Sequence, residues 1–187
     1  MSPSATTTLA QPVVATHGST DPTAPLVVLL HGRGSSEREI LELAPRVSWD
    51  IPQQQLSQNA PTDLQERLFV RIGALPGIRG GASQISVPGA RAFSLPAGTG
   101  PDDAYLVPQV REFAHLHPAD DGSLHLALPP QQAADLVAHG WGVPHPWAGT
   151  RLSAGFVMLF GPRDEAELEV VSGVVAASPA YASSSDG

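Results

Sequence analysis

The sequence predicts an α+β domain with a mostly antiparallel sheet and flanking helices. Strand-like segments follow one another in a run instead of alternating with helices, which favours antiparallel pairing. Two of them, "REFAHLH" and "SLHLAL", are joined by the short turn "PADDG" and form a predicted hairpin. Apolar residues make up 42% of the 187 residues and charged residues 15%, so the chain can bury a core and is not disordered overall.

Four regions are predicted along the chain. Residues 1–24 are rich in Ser, Thr, Ala and Pro and are expected to be a disordered lead. Residues 25–60 are a hydrolase-like fragment followed by a linker. Residues 61–181 are the predicted α+β domain, and residues 182–187 are a tail.

The hydrolase-like fragment begins with a predicted buried strand over 25–30, which runs into the loop "HGRG" and a predicted helix over 35–47. Residues 25–47 thereby resemble the N-terminal strand and oxyanion loop of the phospholipase/carboxylesterase family, an α/β-hydrolase family. Such an enzyme needs a nucleophilic serine in G-x-S-x-G, and neither "GASQI" nor "LSAGF" completes that motif. An esterase is therefore disfavoured. Residues 48–62 have the composition of a linker.

The predicted domain opens with a helix that starts at Thr62 or Asp63 and stops at "PG" after Leu75. Its apolar positions follow helical spacing: Leu64, Leu68, Ile72 and Leu75. Three short extended segments are predicted next, over Gln84–Val87, Ala90–Leu95 and Ala104–Val107.

The hairpin follows these segments, and its strands alternate between two faces. A helix is predicted over "PPQQAADLVAHG", a loop over "GWGVPHP", and a strand over "GFVMLF". A last helix opens at Asp164, with Glu167 completing a capping box. Its predicted apolar face carries Leu168, Val171, Val175 and Tyr181.

Charge and composition exclude several classes of protein. The formal net charge is −8, from 10 basic and 18 acidic side chains, and every basic side chain is an arginine. We expect neither nucleic acid nor a membrane as a partner, because both require a basic surface. The absence of cysteine excludes thiolate metal sites and cysteine nucleophiles. With no apolar run of roughly 18 residues and no secretory signal pattern, the protein is expected to be cytoplasmic, and its arginine-only composition is typical of a bacterial protein.

Five of the seven histidines lie between residues 115 and 145. His115 and His117 are two apart on one predicted strand, so both side chains point to one face, and His125 lies on the next strand. If the hairpin pairs about its centre, His115 stands close to His125. Three interpretations follow: ordinary buried histidines, a cupin-like metal site with Glu112 or Asp121 as a carboxylate ligand, or metal-free acid–base chemistry. The acid–base interpretation is favoured.

An ordered string of motifs narrows the choice of family. Four motifs occur in order between residues 111 and 165: R-E-x-A-H-x-H, D-x-x-L-H-L-A-L, G-W-G-x-x-H-P-x-A-G and P-R-x-E. Together they resemble the luciferases of bioluminescent fungi and the wider luciferase-like domain family, over residues 62–181. The resemblance implies a small-molecule substrate, 3-hydroxyhispidin or a similar hydroxypyrone, to which O2 is added before CO2 is lost and light is emitted. It implies no flavin, ATP or other organic cofactor.

The resemblance also assigns roles to individual residues. The implied catalytic residues are His115, His117, His125, Arg111 and Glu112. The implied substrate-binding residues are Trp141, His145, Arg163 and Asp121. A neutral imidazole removes a proton, a carboxylate orients that imidazole, and an arginine stabilises the enolate and peroxide anions.

Some alternatives remain open from the sequence. Trp141 either stacks on a planar substrate or anchors the core, and Arg163 either binds an anion or pairs with Glu167. A metal at the three histidines is not favoured, and a binding module without catalysis is the main rival function. The oligomeric state does not follow from the sequence.

Strand alternation makes a geometric prediction about the hairpin. Phe113, His115 and His117 should share one face, with Arg111 on the same face by parity. The opposite face should be the core, because three leucines alternate at period two, Leu124, Leu126 and Leu128. The histidine face should then open to a cleft roofed by the "GWGVPHP" loop.

Overall fold

The computed structural model describes residues 46–183. The helices are α1 (Thr62–Gly73), α2 (Pro130–Ala138) and α3 (Glu165–Ser183). The strands are β1 (Val47–Ser48), β2 (Gln54–Gln55), β3 (Arg79–Ala82), β4 (Arg91–Ser94), β5 (Glu112–Leu116), β6 (Leu124–Ala127), β7 (Gly142–Pro144) and β8 (Phe156–Leu159). Two short 3-10 helices, Asp102–Ala104 and Pro108–Val110, precede β5.

Six strands form one sheet in the order β3-β4-β5-β6-β8-β7, and each neighbouring pair is antiparallel. The predicted α+β class with a mostly antiparallel sheet is therefore confirmed. β1 and β2 form a separate antiparallel pair. No helix within residues 46–183 combines the length and the apolar character needed to cross a bilayer.

The main core lies between one face of the sheet and the helices. Leu124, Leu126 and Leu128 are buried in it, as their alternation predicted. α1 contributes Leu64, Leu68 and Ile72, and α3 contributes Leu168, Val171 and Val175. Leu124 and Leu126 occupy the core face of β6. The residues that alternate with them therefore face the other side of the sheet.

A β-bulge in β5 changes the predicted alternation. Phe93 pairs with Ala114, but the next residue of β4, Ser94, pairs with Glu112, so that β5 holds one extra residue. Phe113 consequently packs into the core beside Phe93, with ring centroids 6.4 Å apart. The prediction that Phe113 shares a face with His115 is wrong, and Glu112 occupies that face instead.

Several short elements also differ from the prediction. Residues 84–87 form a bend, and one edge strand of the sheet is the exposed "RGGA" segment β3. Residues 102–104 form a 3-10 helix where an extended segment was predicted to begin. The "GWGVPHP" segment contains β7, which pairs with β8. These segments are short and rich in Gly and Pro, so that their pairing depends on neighbouring strands and not on a local pattern.

The N-terminal cap of α3 has one of the two hydrogen bonds of the predicted capping box, and its second bond goes to Arg163 and not to Asp164. Asp164 Oδ1 accepts a hydrogen bond from the Glu167 N–H at 2.9 Å, and the Glu167 carboxylate accepts one from the Arg163 N–H at 2.8 Å.

Residues 46–61 pack against the rest of the described chain despite their linker composition. Gln53, Gln55 and Ser57 are buried, and the Asn59 side chain donates hydrogen bonds to the carbonyls of Asp120 and Asp121. The expected domain boundary near residue 60 stays a prediction. The disordered lead, the hydrolase-like strand and almost all of the helix predicted over 35–47 lie outside the described residues, as does the end of the predicted tail.

Candidate functional site

Four histidines meet on the sheet face opposite the main core. His115 of β5 and His125 of β6 are directly paired, and His117 and His145 flank them. Neighbouring imidazole rings have centroids 4.7 to 5.3 Å apart. His115 Nε2 lies 3.3 Å from His125 Nδ1, which confirms the predicted proximity of these two residues. We call this group the histidine cluster.

Two carboxylates hold two of these rings in place. Glu112 Oε1 lies 2.9 Å from His115 Nδ1, and Asp121 Oδ2 lies 2.8 Å from His117 Nδ1. The bulge places Glu112 on the histidine face, three residues before His115. Asp121 reaches His117 from the turn between β5 and β6. Since an ionised carboxylate only accepts hydrogen bonds, each Nδ1 carries the proton, and each Nε2 of a neutral ring has a bare lone pair.

Both carboxylates accept further hydrogen bonds. Glu112 accepts hydrogen bonds from the Ser83 hydroxyl at 2.7 Å and the Gln84 N–H at 3.0 Å. Burial alone raises the pKa of Glu112, but the hydrogen bonds from His115, Gln84 and Ser83 outweigh it and lower the pKa below its ordinary value. Asp121 Oδ1 accepts from the N–H and hydroxyl of Ser123 at 2.9 and 2.5 Å.

Gln53 orients the third ring. Its side-chain amide donates to the Pro144 carbonyl at 3.3 Å, so its Oε1 faces His125 Nε2, also at 3.3 Å. An amide oxygen only accepts, so the proton of His125 lies on Nε2 and its Nδ1 is bare. His115 Nε2 and His125 Nδ1 are therefore two acceptors that face each other.

Burial favours the neutral form of three of these rings, those of His115, His125 and His145. It lowers the pKa of His115, lowers that of His125 well below the ordinary value, and lowers that of His145 to about 4. Removing a cation from water is unfavourable, and neighbouring imidazoles add to the effect. At neutral pH these rings are acceptors and neutral donors, and not cations.

The histidine face is covered, not open to a cleft as predicted. His115, His117 and His125 are at most 5% exposed, and His145 is 8% exposed. Gln53 closes one side through its bonds to Pro144 and His125. His145 directly follows β7, and there the Trp147 N–H donates to its Nδ1 at 3.1 Å and the Trp147 ring lies 5.6 Å away. His145 therefore presents an Nε2–H group when neutral.

Three of the predicted site residues lie elsewhere. Arg111 precedes β5 in a left-handed conformation (φ 55°), pairs with Asp102 at 2.5 Å and lies over the Tyr105 ring. The parity argument for Arg111 is therefore wrong. Trp141 packs against the main core, in agreement with its structural alternative.

Arg163 has the structural partner that was its alternative. Its guanidinium contacts Glu167, with Nε 3.0 Å from a carboxylate oxygen, and also binds the Gln58 side chain at 2.8 Å. The described structure thus brings together His115, His117, His125, His145, Glu112 and Asp121, and it leaves the two arginines and Trp141 apart from them.

Sequence reasoning missed four side chains of the site: Gln53, Ser83, Ser123 and Trp147. Ser123 shares the parity of His125 and was recognisable in principle. Trp147 lies two residues after His145 in the same Pro-rich segment. Gln53 and Ser83 reach the site from distant parts of the chain and carry no local signal.

Comparison with known proteins supports the resemblance drawn from the motifs. Residues 110–178 match the family model of the luciferase domain. All nine residues predicted for the site fall within this segment, whereas Gln53 and Ser83 do not. Residues 110–178 are therefore similar to the luciferase domain.

Curated relatives are similar to this chain over a segment of about the same length. A luciferase of Armillaria ostoyae is 42% identical, and luciferases of Armillaria mellea and Neonothopanus nambi are 40% identical, each over 74 residues. These alignments cover 38% of this chain and 28% of each relative, so the chain spans under a third of the length of the relatives it matches. No solved structure matches the chain. These relatives are fungal, and the bacterial origin and cytoplasmic location stay predictions.

Proposed function

We propose that this protein is an oxygenase of the luciferase-like type that oxidises an enolisable hydroxypyrone, similar to 3-hydroxyhispidin, with O2 and without an organic cofactor. The observation that carries the proposal is the histidine cluster, in which two imidazoles are held by buried carboxylates inside the segment that matches the luciferase domain. Carboxylate-bound imidazoles are the groups that proteins use to move protons at neutral pH.

The proposed reaction begins with loss of the proton from the substrate hydroxyl, which gives an electron-rich enolate. The bare nitrogens of His115, His117 and His125 support this step in either of two ways. They accept the proton directly, as the sequence pattern favours, or they hold a cation that balances the charge of the enolate oxygen while the proton passes to a water molecule. Both routes give the same enolate.

Oxygen then adds to the enolate. Both atoms of O2 enter the substrate as a cyclic peroxide, which opens with loss of one CO2, so that one O2 is consumed for each CO2 released. The His145 Nε2–H is suited to donate to an oxyanion formed along this path. The burial of the cluster excludes water from the peroxide.

Substrate would enter beside Trp147 or by displacement of Gln53, because these side chains contact His145 and His125 of the buried cluster. The Trp147 ring is partly exposed and contacts His145. An aromatic ring at that place favours a planar substrate by stacking. Trp147 thus takes the stacking role that the sequence assigned to Trp141.

Oxygen uptake and CO2 release with 3-hydroxyhispidin test the proposal. We expect equal amounts of both for the wild-type protein and for the control His139→Ala, which changes an exposed histidine outside the cluster. Trp147→Ala should raise KM, whereas Trp141→Leu should not. A ligand-induced rise in Tm without O2 consumption would overturn the oxygenase and favour a binding module.

A further inference from the structure

We infer that His115, His117 and His125 form a binding site for one divalent transition-metal ion. One ring nitrogen from each of the three lies within 4.8 Å of the other two. Among residues 46–183, no other group of three His, Asp or Glu side chains meets this criterion. The inference concerns binding of the ion and does not depend on the proposed reaction.

The hydrogen bonds of the site determine which nitrogens face the proposed ion. Glu112 and Asp121 engage the Nδ1 atoms of His115 and His117, and Gln53 Oε1 engages Nε2 of His125. The remaining nitrogens are His115 Nε2, His117 Nε2 and His125 Nδ1. All three carry a lone pair in the neutral ring, which is the form that ligates a metal.

One of these nitrogens has no partner in the structure. His117 Nε2 is buried, and no hydrogen-bond donor or acceptor contacts it. Buried polar atoms in proteins are almost always paired, so an unpaired one requires an explanation, for which an ion is a recognised candidate. Its ring centroid lies 4.7 Å from that of His125, so the unpaired nitrogen belongs to the same group.

The other two nitrogens are arranged like neighbouring ligands. Two lone pairs at 3.3 Å repel each other unless a positive charge lies between them. Imidazole nitrogens bind Zn²⁺ at about 2.0–2.1 Å, which places two ligands of a tetrahedral site about 3.4 Å apart. A proton shared between His115 Nε2 and His125 Nδ1 would relieve the repulsion of those two lone pairs but would leave His117 Nε2 unpaired. A metal ion accounts for His117 Nε2 as well.

The surroundings of the three rings match those of known metal sites. A histidine ligand usually donates its other N–H to a carboxylate or a carbonyl, which fixes its orientation and makes it more basic. Here Glu112, Asp121 and Gln53 supply one such acceptor to each ring. Ser83 and Ser123 in turn donate to the two carboxylates.

The ligand set indicates the chemical class of the ion. Three neutral imidazoles suit Zn²⁺, Fe²⁺, Co²⁺, Ni²⁺ or Cu²⁺, whereas Mg²⁺ and Ca²⁺ prefer oxygen ligands. The carboxylates of Glu112 and Asp121 are hydrogen-bonded to the Nδ1 atoms of His115 and His117, which face away from the proposed ion, and are not needed as ligands. Three protein ligands also leave a position for an exogenous oxygen donor.

Titration with Co²⁺ tests the site in the full-length protein after treatment with a chelator. Calorimetry should show one equivalent bound by the wild-type protein and by His139→Ala. Affinity should fall on the order of 100-fold or more in His117→Ala and in His125→Ala. Absence of stoichiometric binding, or an unchanged affinity in His117→Ala, would overturn the inference.

A second measurement needs no variant and therefore does not depend on the folding of one. X-ray absorption of the Co²⁺-loaded wild-type protein should show a nitrogen shell and the outer scattering of three imidazole rings. A shell of oxygen ligands alone would refute the site. Because neither measurement uses a substrate, a protein that binds Co²⁺ but consumes no O2 would contradict only the proposed function.

Discussion

His115 Nε2 and His125 Nδ1 face each other at 3.3 Å across the β5–β6 pair. The two residues are opposite in register, so the backbone holds them together irrespective of what their side chains gain from the contact. The other ring nitrogens, Nδ1 of His115 and Nε2 of His125, are already hydrogen-bonded to Glu112 and Gln53. Two buried acceptors in contact do not stabilise a fold, and such local conflicts are expected where a site has a function.

Glu112 should be a positioning residue for the ion and not a ligand. Glu112→Gln keeps the size of the side chain but removes the negative charge. That charge makes the His115 imidazole more basic and therefore a stronger metal ligand. We expect Co²⁺ affinity to fall about 10- to 100-fold, with a shift in the Co²⁺ absorption bands and one equivalent still bound. Glu66→Gln, on the surface beside Arg91, is the matched control and should bind as the wild type does. A Glu112→Gln protein with wild-type affinity and spectrum would rule out this role.

Gln55 should be required for stability, although it lies in the segment with linker composition. Its amide donates to the carbonyls of Ser57 and Gln58 and accepts from the Gly161 N–H at 3.2 Å. Gln55→Leu leaves these groups unpaired, so we expect the free energy of unfolding to fall by about 2–4 kcal/mol. Urea denaturation measures the change. Gln132→Leu, at an exposed position of α2, should stay within about 0.5 kcal/mol of the wild type.

The hairpin could be predicted because its pattern is local. Leu124, Leu126 and Leu128 alternate with Ser123 and His125, and a short turn sets the register. The contact between His115 and His125 follows from that register alone. The carboxylate partner of His117 was also within reach, since Asp121 lies in the same turn.

The rest of the site depends on pairing between distant segments. A bulge in the pairing of β5 with β4 moves Phe113 to the core and Glu112 to the histidine face. No residue type in β5 predicts this bulge. Gln53 is polar and precedes β2 in a Pro- and Gln-rich segment, so nothing local marks it as buried. Arg111 was placed by parity, which fails at a residue with a positive φ.

Two glycines should respond to alanine in opposite directions. Gly173 lies within α3 and has open space where a Cβ would stand, so Gly173→Ala should raise stability by about 0.5–1 kcal/mol. A Cβ on Gly155 would lie 1.7 Å from the Leu128 carbonyl oxygen. Gly155→Ala should lower stability by about 1–3 kcal/mol, because the backbone beside β8 must shift. Thermal and urea unfolding distinguish the two, and a loss of stability in Gly173→Ala would contradict this packing of α3.

The pair formed by Arg163 and Glu167 should make stability depend on pH. The hydrogen bond from Arg163 holds the pKa of Glu167 below its ordinary value of 4.5, against the opposing effect of burial. A carboxyl with a lowered folded-state pKa stabilises the fold above its unfolded-state pKa, and that contribution is lost as the pH falls through the folded-state pKa. Arg163 is 43% exposed and Glu167 17% exposed, so solvent screening limits the contribution to about 0.5–1 kcal/mol.

The variant Glu167→Gln isolates this contribution. Its free energy of unfolding should be lower than that of the wild type by the full amount at pH 7, and the difference should shrink below pH 4.5 until the two proteins coincide. Urea denaturation at pH 7, 5, 4 and 3 measures the difference. In an Arg163→Ala background, Glu167→Gln should lower the free energy of unfolding by a smaller amount. The backbone N–H of residue 163 and the charge of Arg46 are then the remaining groups that favour ionised Glu167. A difference that persists unchanged to pH 3 would show that Glu167 acts by packing and not by its charge.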